Sequence, residues 1–186
     1  MNFAAARPDV VRAINQVWLL KFWKRQLGTH GIPLWQAVEA ENLSRVSASL
    51  SFLDVTGGDG SARFLIRFHG AMIAQVYGSP DCRGKYLDEI MRQDRLPAAL
   101  APYHQTLECG QPIYTIHDLT DRNGRLIHFE RLLLPFSRDG ENVDRILASF
   151  EFICEDGAFD SHDLINSQTV APALRLSATI EPQALT

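Results

Sequence analysis

Cysteine is scarce in this chain of 186 residues: Cys82, Cys109 and Cys154 are an odd number, far apart and without Cys-x-x-Cys spacing. That excludes a disulfide scaffold and a cysteine-rich zinc site, and it fits a reducing compartment. Basic residues form no tract and the formal net charge is −4, which argues against a protein that coats nucleic acid. The longest apolar runs, such as Val17 to Leu20, fall far short of the roughly 20 residues of a membrane span. Met1 to Arg7 lacks the basic stretch and apolar core of a secretion signal, so a soluble, cytoplasmic protein is expected. Gly-x-x-x-x-Gly-Lys-Ser/Thr, Gly-x-Gly-x-x-Gly, His-Glu-x-x-His and Gly-x-Ser-x-Gly are all missing. Gly57-Gly58-Asp59-Gly60 is glycine-rich, but it sits between two strand-like stretches with no helix start after it, so it reads as a turn.

What is present is an ordinary globular composition, 46% hydrophobic and 22% charged. Pro8 and Asp9 suit a first helical turn, and Gly28 supplies a stop, so one helix is expected from Pro8 to Gly28. Its apolar residues cover more than one stripe. Either it packs only on its own domain, or it also packs on a second copy through Val10, Ile14, Val17 and Trp18. Gly31 to Pro33 breaks the chain, and a short helix is expected around Trp35 to Asn42.

From Leu50 the pattern becomes strand-like. Leu50 to Val55, the glycine turn and Ala62 to Phe68 read as a hairpin, with Phe64, Ile66 and Phe68 on one side. Gly70 to Gln93 is punctuated too often for any long element. A helix capped near Asp94 runs towards Cys109, with Gly110 as its left-handed end; Pro102 either kinks it or marks its start. Three more strands follow: Pro112 to Leu119, Leu126 to Phe136 and Val143 to Cys154. In the last, Ile146, Ala148, Phe150, Phe152 and Cys154 share one face. Asp156 to Thr186 shows no sustained period and is expected to be loosely held. The sum is an α+β fold, a five-stranded antiparallel sheet with short central helices on one face and an added N-terminal helix. Its segments are 1–45 (helical), 46–155 (the main domain) and 156–186 (the tail).

In this order the sequence resembles a PAS domain, and within that class a bacterial group of stand-alone, single-domain PAS proteins. The resemblance rests on Trp23, Ile66-Arg67-Phe68-His69-Gly70, Gly84-Lys85-Tyr86-Leu87, Tyr103, Gly110-Gln111-Pro112, Glu130 to Phe136, Asp139-Gly140 and Val143 to Leu147. Two departures are Ala71, where the family usually has Thr, and Leu34-Trp35-Gln36-Ala37 in place of a polar stretch. PAS domains are sensory and interaction modules whose sheet and central helices enclose a small cavity. The resemblance therefore implies signalling rather than catalysis. Nothing past Cys154 has the length of an output domain, so a protein partner, and a homodimer formed through the first helix, are expected.

Several residues could carry chemistry. His104 lies near where some haem-binding PAS domains place an axial ligand, but it is one position off the core stripe and reads as a boundary histidine. His117 faces His128 if the intervening loop has four residues, and Glu130 if it has two; neither pairing brings a third metal ligand. No flavin-attaching cysteine motif surrounds Cys82 or Cys109, and Cys154 reads as strand packing. Neither haem nor flavin is therefore expected. Arg131, opposite in phase to Glu130, would point inward. With Arg67 it would form an anion-recognising pair, unless each makes a salt bridge at the rim.

The leading reading is thus a PAS-like module binding a small ligand or a protein partner. Its cavity would be lined by Phe68, Ile73, Tyr77, Met91, Leu96, Tyr103, Tyr114, Phe129 and Phe150, with Arg67 and Arg131 as polar contacts. Two alternatives are an enzyme on a cone-shaped α+β fold of isomerase or dehydratase type, and an adaptor with a collapsed cavity. Against the enzyme, two strands precede the central helices, and the adjacent His117 and Asp118 fall on opposite faces of a strand.

Overall fold

The computed structural model describes residues 1–28, 31–57, 62–79 and 81–181. A short strand, β1 (Ala4–Ala6), and a 3-10 turn at Pro8–Val10 precede helix α1 (Ile14–Arg25). The single helix expected from Pro8 to Gly28 is therefore corrected. The backbone is extended at Val11, which lets that side chain bury, and the regular helix starts only after Ala13. Next come α2 (Gln36–Ala40), β2 (Leu50–Thr56), β3 (Arg63–His69), α3 (Ala71–Val76), α4 (Leu87–Ile90) and α5 (Leu96–Cys109). Strands β4 (Ile113–Thr120), β5 (Leu126–Phe136), β6 (Arg145–Ile153) and β7 (Ala173–Ile180) complete the chain. Helix α5 continues through Pro102 and ends on Gly110 in the left-handed region, φ 63°. No helix among the described residues is long and apolar enough to cross a membrane.

All seven strands join one sheet, in the order β1-β7-β4-β5-β6-β2-β3. The pairing of β1 with β7 is parallel and the other pairings are antiparallel, so the sheet is mixed. The expectation of five strands is corrected by β1 and β7, and the loosely held tail is corrected with it. In β7, Leu174, Leu176, Ala178 and Ile180 alternate with polar or small residues, and Ala178 and Ile180 are fully buried. The link into β7 is held as well: the backbone N–H groups of Asp163 and Ile165 donate to the carbonyls of Gln75 (2.9 Å) and Val76 (3.0 Å). Of the glycine turn between β2 and β3, positions 58–60 lie outside the described residues.

Strand alternation sends side chains to two separate cores. Phe64, Ile66, Ile127, Phe129, Leu133, Ile146, Ala148 and Phe150 meet Ile73, Val76 and Tyr103 of the central helices. On the other face Tyr114, Leu132, Leu134, Phe136 and Leu147 meet Leu19, Leu20, Phe22 and Trp23 of α1. Trp23 Nε1 also donates to the carbonyl of Pro135 at 2.6 Å, satisfying its one donor inside the apolar layer. Strand β5 is thus covered on both sides, which accounts for the nearly unbroken apolar run from Leu132 to Phe136.

Candidate functional site

The site begins with the register of the β4–β5 hairpin. Its loop has five residues, 121–125, because Thr120 pairs with Leu126. The Asp121 carboxylate shapes the turn, accepting from the backbone N–H groups of Asn123 and Arg125 at 2.9 Å each. That odd count puts His117 opposite Phe129 and Thr115 opposite Arg131, all facing the central helices. Neither sequence alternative for His117 holds. His128 instead approaches Asp118, Nδ1 to Oδ1 2.7 Å.

A cavity of about 200 Å³ lies between this face of the sheet and the central helices. Its walls include Phe129, Met91, Tyr77 and Ala99, and the chain after β6 closes one side with Ile165, Asn166, Ala171 and Pro172. That closing segment is tied down at Asn166 and Gln168. Asn166 Nδ2 donates to the Tyr77 carbonyl at 2.7 Å, while Arg92 (3.2 Å) and Arg95 (2.6 Å) donate to the Gln168 carbonyl. Asp94, also on the lining, is chelated by Arg92 at 2.9 and 3.0 Å.

Arg131 is only 4% exposed. Its Nε donates to Thr115 Oγ1 and its Nη1 to the Ala99 carbonyl, both at 3.3 Å, and its guanidinium stands 5.1 Å from the centre of the Tyr103 ring. No carboxylate among the described residues lies within salt-bridge reach of it. Beside it, His117 Nδ1 is buried with no hydrogen-bond partner. Burial, then the charge of Arg131, pulls this imidazole down to about 4 despite the neighbouring Asp118. It is therefore neutral at pH 7. Burial pushes the Tyr77 hydroxyl well above its ordinary range, so it too stays neutral.

Of the residues expected to line the cavity, the structure brings Tyr77, Met91, Phe129 and Arg131 together. Ile73, Tyr103 and Phe150 are buried in the surrounding core, and Leu96 packs at its edge. Arg67, Phe68 and Tyr114 are corrected to the opposite face. A bulge shifts the register between Phe52/Phe68 and Leu53/Ile66, so Phe68 no longer follows Ile66 inward and packs on Phe52 at 5.0 Å. Arg67 Nε donates to Asp54 Oδ2 at 2.5 Å, and Arg145 holds the other oxygen, so no Arg67–Arg131 pair forms. Tyr114 donates its hydroxyl to Glu130 Oε2 at 2.6 Å beneath α1.

The reading of the sequence missed His117 as a lining residue, along with Arg92, Asp94, Arg95 and the whole closing segment. His117 was missed because an inward Tyr114 puts His117, three residues on, on the outer face of the strand. No three His, Cys, Asp or Glu side chains converge as a metal site among the described residues. None of the three cysteines is on the cavity wall.

A family model described as a PAS domain matches residues 12–151. No curated protein matches the chain. Among solved structures, a Rhodobacter sphaeroides LOV protein is similar at 16% identity, with a TM-score of 0.45 over 61% of this chain and 63% of that one. A light-oxygen-voltage domain studied with a flavin analogue is similar at 17% identity, with a TM-score of 0.42 over 65% of this chain and 87% of that one.

Proposed function

Because the chain belongs to the PAS domain family, we propose that it is a sensory module that takes a small ligand into the cavity at Arg131. The ligand-bound state is then passed to a protein partner, with no catalytic step in this chain. The observation that carries the reading is a cavity of about 200 Å³ with apolar walls and one buried cation. Cavities of that composition, with few and convergent polar groups, are how small molecules are held. A homodimer belongs to the same proposal. Of the four residues expected at its interface, Ile14 is 84% exposed, while Val10, Val17 and Trp18 pack partly against the α1-side core.

The test is the native mass of the purified protein beside a denatured sample, with an absorption spectrum. A mass excess lost on denaturation is expected. A visible band would identify a chromophore such as flavin or haem as that ligand. A bare mass that no added small molecule changes would leave an adaptor acting through its surfaces.

A further inference from the structure

We infer that the ligand is a small organic monocarboxylate, its carboxylate held by Arg131 and His117 and its apolar body by Phe129, Met91 and Ile165. The inference rests on the module reading above and adds to it the ligand's chemical class.

Charge points the same way from two places. The charged side chains on the cavity wall are Arg92, Arg95 and Arg131 against Asp94 alone, three cations to one anion. Asp94 is already engaged by Arg92, so it does not serve Arg131. A guanidinium has five N–H donors, and Arg131 spends two of its bonds on neutral oxygens of Thr115 and Ala99. A buried cation left with neutral partners is costly, and a carboxylate supplied from outside removes that cost through paired, charge-assisted bonds.

His117 gives the second, independent observation. Its Nδ1 is buried without a partner, and a neutral imidazole can place a hydrogen there and donate it to a carboxylate oxygen. Arg92 is taken up by Asp94 and Arg95 by the Gln168 carbonyl, so Arg131 with one neutral donor suits a single negative charge. The rest of the wall suits an apolar body, and size limits it. A cavity of about 200 Å³ falls below the roughly 300–1,000 Å³ of pockets for drug-sized ligands, so it suits a small aromatic or short aliphatic acid, not a nucleotide.

The experiment is calorimetric titration of the full chain with benzoate and hexanoate, each against its uncharged primary amide. Both acids are expected to bind at least tenfold more tightly than their amides, and the Arg131→Gln variant is expected to lose that preference. Since the acid–amide comparison uses the unaltered protein, it stands even if the variant fails to fold. Equal binding of acid and amide overturns the carboxylate assignment and leaves the ligand-binding module intact. No binding by either series overturns the carboxylate assignment as well. Only a bare native mass together with that silence would take the module reading with it.

Discussion

Arg131 sits where an apolar side chain would pack more cheaply. It is in phase with Phe129 and Leu133, both of which belong to the inner core. Arg131→Met keeps the length and the apolar stem but removes the charge. The ligand-free variant is expected to be as stable as the parent, or more stable by about 1–3 kcal/mol, because the desolvation of an unpaired cation is relieved. Urea unfolding checks this; a loss of more than about 2 kcal/mol would mean that the bonds to Thr115 and Ala99 hold the fold together.

His117 makes a separate statement about pH. Its folded value is depressed from 6.5 to about 4, so the folded state favours the neutral ring. As pH falls through 6.5 the unfolded chain takes up the proton first, and stability declines by up to about 3 kcal/mol before levelling near pH 4. His117→Gln is expected to lose that part of the slope, read as the difference between the two proteins' urea midpoints from pH 7 to 4. Parallel curves would mean that the ring is more hydrated than its burial indicates.

Among the elements, the join between β3 and α3 depends on one small residue. A Cβ at Gly70 would overlap the carbonyl oxygens of Ser47 and Ala48. With φ at −65° the backbone is unstrained, so the requirement is space alone. Gly70→Ala is expected to cost about 2–3 kcal/mol by forcing that backbone apart, and a midpoint unchanged in urea would refute it.

How much of this was legible varies by element for physical reasons. The two faces of β6 were readable because Ile146, Ala148 and Phe150 alternate without interruption. The same extrapolation failed along β3, because the bulge beside Arg67 reverses the phase and nothing in Phe64 to Phe68 announces it. Tyr114 was misplaced for a related reason: its face depends on the odd loop 121–125, and loop length sets register. β7 is made largely of small and polar residues, so its alternation was too faint to separate from a tail. The closing segment around Asn166 has no period at all, and only its hydrogen bonds reveal it as a wall.

At the scale of the whole molecule, β5 serves both cores with neighbouring residues. Arg131 faces the cavity, while Glu130 turns the other way to accept from Tyr114, and its carbonyl accepts from Gln16 Nε2 of α1 at 3.3 Å. Any shift of β5 at Arg131 is therefore felt directly beneath α1, which gives the proposed module a short route from ligand to outer surface. In this scheme the cavity holds a small molecule through Arg131. Its most direct test is the native mass of the parent protein and of Arg131→Met, purified side by side. A small mass excess is expected on the parent, lost on denaturation and missing from the variant. The same mass excess on both proteins, or none on either, would contradict it.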